Sequence, residues 1–75
     1  FYTSATGIRR ADFILLVLTH PGEAQLVGRL LDQSALEGLL GTIAGDDTVC
    51  CIAADKKRAK ELEIIFKELI SEKLQ

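Results

Sequence analysis

The sequence predicts a small α/β domain of the α+β type, with a sheet of about four strands covered by two helices in the order β-β-α-β-β-α. Three observations lead to this fold. Residues 13–18 form an unbroken apolar run, which is typical of a buried strand. Two segments, 21–32 and 55–73, repeat apolar residues with a helical period. A glycine and two aspartates at 45–47 predict a tight turn between two β-prone segments.

The N-terminal part predicts a β-hairpin. Residues 1–3 are expected to be the end of a linker, which continues into a short strand at 4–9. Residues 10–12 suit a hairpin turn, and the run at 13–18 then forms a central strand. Because this run has no polar interruption, we expect both of its faces to be covered.

The first helix is predicted over residues 21–32, because Pro21 is preorganised for a first helical position. Its apolar stripe consists of Ala24, Val27, Leu30 and Leu31. Gln25 and Asp32 lie almost in line on another face, about 10 Å apart along the axis, with Gly28 between them. This face offers two polar groups beside a close approach to the backbone. The ordinary alternative is two solvated residues, with Asp32 paired to Arg29.

Two strands, at 38–44 and 48–53, flank the turn at 45–47. If the strands at 13–18 and 38–44 run parallel in one sheet, the intervening helix makes a right-handed crossover.

The last helix is predicted to begin after Asp55, which caps it, and to end near residue 73. Its inward face consists of Ala59, Leu62, Ile65, Phe66, Leu69 and Ile70. Glu63 and Lys67 form an i,i+4 pair in the favourable order. We expect this helix to cover the sheet and to carry no chemistry.

Size and composition favour self-association. The 75 residues allow one domain, over residues 1–75, and so short a chain makes a marginal monomer. Yet 48% of the residues are hydrophobic, which exceeds what one small core can bury. The net charge of −2 argues against unaided DNA binding, and the basic cluster at 56–60 suits a solvated helix face.

The reactive side chains give no support for catalysis. Cys50 and Cys51 are neighbours and point to opposite faces of a strand, which suits free thiols in a reducing cytosol and a cytoplasmic protein. The lone His20 has no second ligand or nucleophile near it, so neither a zinc site nor a catalytic group is expected. No segment is long and apolar enough to predict a membrane span. The first residue, Phe1, is not Met, so we expect a fragment of a longer protein.

Asp46 and Asp47 are the strongest candidates for a binding site. Glycine-aspartate turns are common, and both residues could simply be solvated. However, adjacent carboxylates repel each other, and no other charge occurs between Leu39 and Ala54. This pattern suits a cation site. Two neighbouring carboxylates converge poorly on a metal ion, whereas a planar guanidinium forms paired hydrogen bonds with carboxylates.

The segment Gly41-Thr-Ile-Ala-Gly-Asp-Asp-Thr48, with Pro21-Gly-Glu-Ala-Gln25 and Leu30-Leu-Asp32 upstream, resembles the C-terminal domain of the bacterial arginine repressor. The resemblance covers most of the chain. It implies an arginine-binding and oligomerisation domain of a transcriptional regulator, not an enzyme, in which two trimers stack into a hexamer with L-arginine between them. It also implies winged helix-turn-helix domains, N-terminal to this chain, that bind operator DNA.

The resemblance assigns ligand-binding roles to Gln25, Asp32, Thr42, Ala44, Asp46 and Asp47. Asp46 would bind the guanidinium of an arginine held mainly by another subunit, with Asp47 beside it. Gln25 and Asp32 would hold the amino acid end, and backbone near Thr42 and Ala44 would line the pocket. No metal is implied. Three alternatives stay open: a sensor of a different amino acid, a structural oligomerisation domain without a ligand, and a magnesium site of a phosphoryl-transfer enzyme.

Overall fold

The computed structural model describes residues 4–72, and the order of its elements confirms the predicted α+β fold. These elements are β1 (Ala5–Ala11), β2 (Ile14–Thr19), α1 (Ala24–Ser34), β3 (Leu39–Ala44), β4 (Thr48–Ala53) and α2 (Lys56–Glu72). Strand β4 has its predicted bounds. Helix α1 begins later than predicted because Gly22 has a φ of 81°, a left-handed conformation that cannot belong to the helix. The linker predicted at residues 1–3 lies outside the described residues.

The four strands form one sheet in the order β1-β2-β4-β3, and every neighbouring pair is antiparallel. Strand β2 is therefore central, as predicted. Strands β2 and β3 run parallel to each other with β4 between them, and α1 makes the connection. The predicted hairpin turn at 10–12 lies slightly later, at Asp12 and Phe13. Asp12 has a φ of 51° there, which aspartate tolerates better than most residues.

Both helices pack against the same face of the sheet. The fully buried residues of the core come from both helices and all strands but β3: Ala5, Leu15, Val17, Ala24, Val27, Leu31, Val49, Cys51, Ala53, Ala59, Leu62 and Phe66. Side chains alternate in and out along β2 and β4, so every second residue of each strand enters this core.

The opposite face of the sheet carries no helix, and the prediction that β2 is covered on both faces is wrong for the single chain. By register, the larger apolar side chains of this open face, all of which keep some exposure, are Ile14, Leu16, Leu18, Ile43, Cys50 and Ile52. Arg9 and Thr48 lie on the same face. Ile43 is the most open of the apolar side chains, with 71% of its surface exposed. The apolar run at 13–18 thus reflects two apolar faces, of which the chain's own helices cover only one.

Helix α2 has the predicted cap and the predicted ion pair. Asp55 Oδ1 accepts a hydrogen bond of 2.7 Å from the backbone N–H of Arg58, which satisfies a free donor of the first turn. Lys67 Nζ lies 3.2 Å from Glu63 Oε2. Glu63 also accepts a 3.0 Å hydrogen bond from Arg10 Nε on β1, which joins the helix to the edge strand.

Candidate functional site

Helix α1 and strand β3 form the walls of an open, mostly polar cleft of about 360 Å³. Six residues line this cleft: Gln25, Gly28, Arg29, Asp32, Thr42 and Ala44. Four of them are residues that the sequence predicted for a ligand site, and they come from two segments well separated in sequence. The structure therefore places Gln25 and Asp32 of α1 beside Thr42 and Ala44 of β3.

Gly28 allows the helix to lie close to the strand. A Cβ atom at this position would stand 3.3 Å from Ala44 Cβ and 3.5 Å from Thr42 Oγ1, so a larger side chain would separate the two elements. The predicted role of Gly28, a close backbone approach between Gln25 and Asp32, agrees with this contact. The floor of the cleft is therefore formed in part by peptide backbone.

A hydrogen bond joins the two walls of the cleft. Thr42 Oγ1 lies 2.9 Å from Asp32 Oδ1, and 3.4 Å from the carbonyl oxygen of Gly28. Asp32 is solvent-exposed in the last turns of α1. Among the described residues, no ion pair joins Asp32 to Arg29, so the partner of this carboxylate is the threonine on β3.

Asp46 and Asp47 lie outside the cleft, on an exposed tip between β3 and β4. Their backbone holds the tip against the beginning of α1. The carbonyl oxygen of Asp46 accepts hydrogen bonds from Gly22 N at 3.0 Å and from Ala24 N at 3.2 Å, and that of Asp47 accepts one from Thr19 N at 2.7 Å. These contacts fix the backbone of the tip and leave both carboxylates exposed to solvent.

Backbone and side-chain hydrogen bonds at the tip are those of the predicted turn. Gly45 N donates to the carbonyl oxygen of Thr48 at 2.9 Å, which closes the hairpin. Asp47 Oδ1 accepts a 3.1 Å hydrogen bond from Thr48 Oγ1. Asp46 has no such local restraint on its carboxylate among the described hydrogen bonds, so it is the freer of the two to meet a cation.

The sequence analysis did not predict Arg29 as a residue of the site. Arg29 lines the cleft with Gln25 and Asp32 and brings a positive charge to it. Its spacing could have shown this, because Arg29 follows Gln25 by four residues and precedes Asp32 by three, and both intervals share a helix face. The sequence analysis names it only as an ion-pair partner of Asp32.

A second cleft, of about 350 Å³, lies at the beginning of α2. None of the predicted site residues lines it. Arg58 occupies it, donating from Nε to the carbonyl oxygen of Glu37 at 2.6 Å and from its guanidinium to Glu61 at 3.1 Å. These contacts hold the Arg58 side chain in place within this cleft, whose lining also includes Lys57.

Cys50 and Cys51 point to opposite faces, as predicted. Burial, together with the neighbouring charges of Cys50 and Asp32, raises the pKa of the Cys51 thiol to about 12.

Within residues 4–72, no group of three or more His, Cys, Asp or Glu side chains is arranged to hold a metal ion. No helix in the same range is long and apolar enough to cross a membrane.

A family model described as "Arginine repressor, C-terminal domain" matches residues 1–68. The chain belongs to this family. The arginine repressor of Psychromonas ingrahamii is 43% identical to it over 65 residues, which cover 85% of this chain and 43% of that protein. The arginine repressor of Streptococcus pyogenes serotype M3 is 45% identical over 56 residues, covering 75% of this chain and 39% of that protein.

Membership of the arginine repressor family decides the class of function. The curated relatives are arginine repressors, which are transcriptional regulators rather than enzymes, as predicted. The phosphoryl-transfer alternative is therefore wrong. The chain spans about two-fifths of the length of the curated relatives that it matches.

Proposed function

We propose that this arginine repressor domain binds L-arginine between two stacked trimers and that the ligand stabilises the resulting hexamer. The observation that carries the proposal is that the polar cleft and the two exposed carboxylates of the tip are separate, and that each suits a different end of arginine. A cleft lined by Gln25, Asp32, Thr42 and Ala44 offers groups for an amino acid end, while the carboxylates of Asp46 and Asp47 stand outside it. A single copy thus presents two halves of a site rather than one enclosed pocket.

The cleft suits the α-ammonium and α-carboxylate groups of a free amino acid. Asp32 supplies a charged acceptor for the ammonium group, and Gln25 supplies an amide that can both donate and accept. Arg29 adds a positive charge beside them, of the sign that a carboxylate requires. The backbone near Thr42 and Ala44 would line the aliphatic part of the ligand.

The exposed tip suits the guanidinium group. Asp46 has a carboxylate that is free of local hydrogen bonds among those described, and it would bind the guanidinium of an arginine held mainly by another copy. Binding of the guanidinium would replace the repulsion between the tip carboxylates of facing copies with paired hydrogen bonds. Asp47, whose Oδ1 accepts from Thr48, would contribute charge close beside it.

The open face of the sheet supports the trimer in this proposal. Its residues are mostly apolar and only partly covered. In a chain this small, exposure of such a surface to water would lower the stability of the monomer. Contact with two further copies would bury it. Since arginine would bind the hexamer better than the trimer, the ligand must shift the equilibrium towards the hexamer.

In the full-length protein, we propose that this assembly controls DNA binding. The relatives are about twice as long as this chain, which leaves room for another domain. A winged helix-turn-helix domain N-terminal to residues 1–75 would contact operator DNA, and the hexamer would fix the spacing of six such domains. In this proposal, L-arginine acts as a cytoplasmic co-regulator.

Calorimetric titration with L-arginine and L-citrulline tests the ligand. Citrulline has nearly the shape of arginine without its charge, so only arginine should release heat if a guanidinium is recognised. Heat with neither ligand would leave a structural oligomerisation domain. Heat from another amino acid, with none from arginine, would assign the cleft to a different sensor.

Sedimentation velocity with and without L-arginine tests the role of Asp46. Asp46→Asn should abolish the arginine-dependent shift to a larger species, because the amide cannot form a charged pair with a guanidinium. Asp12→Asn is the matched control, since it makes the same charge change in an exposed turn at the other end of the sheet. An unchanged response in Asp46→Asn would remove this residue from the site.

A further inference from the structure

Residues 19–22, which we call the junction, run from the last residue of β2 towards the beginning of α1. Two backbone hydrogen bonds attach the junction to the exposed tip between β3 and β4. Thr19 N donates to the carbonyl oxygen of Asp47 at 2.7 Å, and Gly22 N donates to that of Asp46 at 3.0 Å. The junction is therefore bonded to the backbone of the two residues whose carboxylates face solvent.

A third hydrogen bond attaches the junction to the beginning of β1. His20 N donates at 3.2 Å to the carbonyl oxygen of Ser4, which directly precedes this strand. Ala5, the first residue of β1, is fully buried in the core. Two adjacent residues of the junction, Thr19 and His20, thus hold the tip and the point where the chain enters the sheet.

The side chain of Thr19 restrains the junction between these two contacts. Thr19 Oγ1 donates to the carbonyl oxygen of His20 at 2.9 Å, and Thr19 is only 7% exposed. Glu23 N donates to the same carbonyl oxygen at 3.1 Å. A threonine hydroxyl that is bonded to a neighbouring carbonyl restricts the backbone dihedrals between the two groups. A displacement of the tip backbone therefore moves the His20 N–H together with Thr19.

We propose that the junction links the tip to the beginning of β1, so that a cation bound by the tip carboxylates orders the backbone at Ser4. This inference rests on the proposed function, in which a guanidinium joins Asp46 to another copy. A tip held between two copies samples fewer backbone conformations, and its carbonyl oxygens then hold the junction in fewer positions. The hydrogen bond from His20 to Ser4 consequently opens less often.

In the full-length protein, this link would act on the chain that precedes β1. A domain N-terminal to Ser4 would be attached through a backbone that is more ordered in the liganded hexamer than in the free trimer. The ligand would thus narrow the range of orientations of that domain, in addition to fixing its spacing.

Hydrogen exchange of the His20 amide measures the link, because this N–H is the donor to Ser4. Exchange is followed by NMR with and without saturating L-arginine, relative to the core amides of Leu15 and Val17, which corrects for changes in global stability. We expect L-arginine to slow exchange at His20 by about tenfold more than at these core amides. Equal slowing at all three amides, with L-arginine bound in calorimetry, would overturn the inference.

Variants at Thr19 separate the link from protection by a neighbouring copy. Thr19→Val keeps the β-branched shape and removes the hydroxyl, while Thr19→Ser keeps the hydroxyl. Thr19→Val should bind L-arginine within about twofold of the unchanged chain, yet show less than about twofold specific slowing at His20. Thr19→Ser should retain the slowing, and so should Thr6→Val, the matched change at an exposed threonine of β1. Full slowing in Thr19→Val would mean that a neighbouring copy protects His20, and the link would be refuted.

A ligand-free comparison keeps this inference separate from the proposed function. Asp47→Gly loosens the backbone of the tip, and Asp12→Gly makes the same change in the turn at the other end of the sheet. The link predicts about fivefold faster exchange at His20 in Asp47→Gly, relative to the core amides, and no change in Asp12→Gly. If the unchanged chain binds no arginine, the proposed function fails, and this comparison alone decides whether the link exists. Unchanged exchange at His20 in Asp47→Gly would show that it does not.

Discussion

At the scale of single residues, Gly38 shows how one backbone conformation can determine a local contact. Gly38 has a φ of 82°, and a Cβ atom there would collide with the side chain of Arg58. Arg58 cannot move away freely, because its Nε donates to the carbonyl oxygen of Glu37. Glycine at this position therefore serves both the turn before β3 and the attachment of α2.

We expect Gly38→Ala to lower the free energy of unfolding by about 2 kcal/mol, from the left-handed backbone and the displaced arginine together. Gly22→Ala is the matched control, since Gly22 has a φ of 81° but nothing within 4 Å of its missing Cβ. That variant should lose only the backbone part, about 1 kcal/mol. Urea unfolding at one protein concentration measures both, and equal losses would contradict the contribution of Arg58.

The buried thiol of Cys51 gives a second prediction at this scale. Because burial raises its pKa to about 12, the group stays protonated and unreactive at pH 8 to 9. In a Cys50→Ala variant, we expect no reaction of Cys51 with a thiol reagent such as Ellman's reagent until the chain is unfolded. Complete labelling under native conditions would show that the core around β4 opens readily.

The sequence predicted which residues line the cleft better than it predicted how they are arranged. Helical spacing placed Gln25, Gly28 and Asp32 on one face, and the structure agrees. The position of Thr42 opposite that face follows from strand order and register, which local patterns do not encode. For the same reason, sequence spacing alone could not reveal that Asp46 and Asp47 lie outside the cleft, against the beginning of α1.

At the scale of elements, the hydrogen bond between β1 and α2 ties the edge strand to the longest helix. Arg10 and Glu63 are each only 22% exposed, and Lys67 lies on the far side of the carboxylate. The hydrogen bond from Arg10, with further help from Lys67, holds the pKa of Glu63 below its usual range. The folded chain therefore keeps Glu63 ionised at a pH where the unfolded chain protonates it.

This pKa shift predicts a pH-dependent stability. The contribution of Glu63 is fully present above the unfolded pKa of about 4.3 and is lost as the pH falls through the lower folded pKa. We expect Glu63→Gln to cost about 1 kcal/mol at pH 7, and this cost to shrink as the pH falls below about 4. Urea unfolding across this range measures it, with Glu68→Gln, exposed on the same helix, as the control. A cost that does not change with pH would point to packing instead of charge.

Element type and order were predictable because each segment has a consistent local pattern. The Asp55 cap, the turn at 45–47 and the two helical stripes all agree with the fold. The coverage of β2 was not predictable in this way. Its apolar run indicates that both faces avoid water, but a single sequence does not say whether a second layer comes from the same chain or from another copy.

At the scale of the whole molecule, the two layers of the fold leave one side of the sheet open, and its apolar residues predict where copies associate. Ile43 is 71% exposed and lies across from Cys50 in the β3–β4 register. A charge at this position would have to be buried in the proposed trimer without a partner, which costs several kcal/mol at each copy.

We therefore expect Ile43→Asp to convert the chain to monomers in sedimentation velocity, in the presence or absence of L-arginine. Ile64→Asp is the matched control, because Ile64 is 59% exposed on α2 and does not belong to the open face. It introduces the same change in an apolar residue and should leave the sedimentation unchanged. If Ile64→Asp dissociates the assembly and Ile43→Asp does not, the copies meet through α2, and the open face requires a different partner.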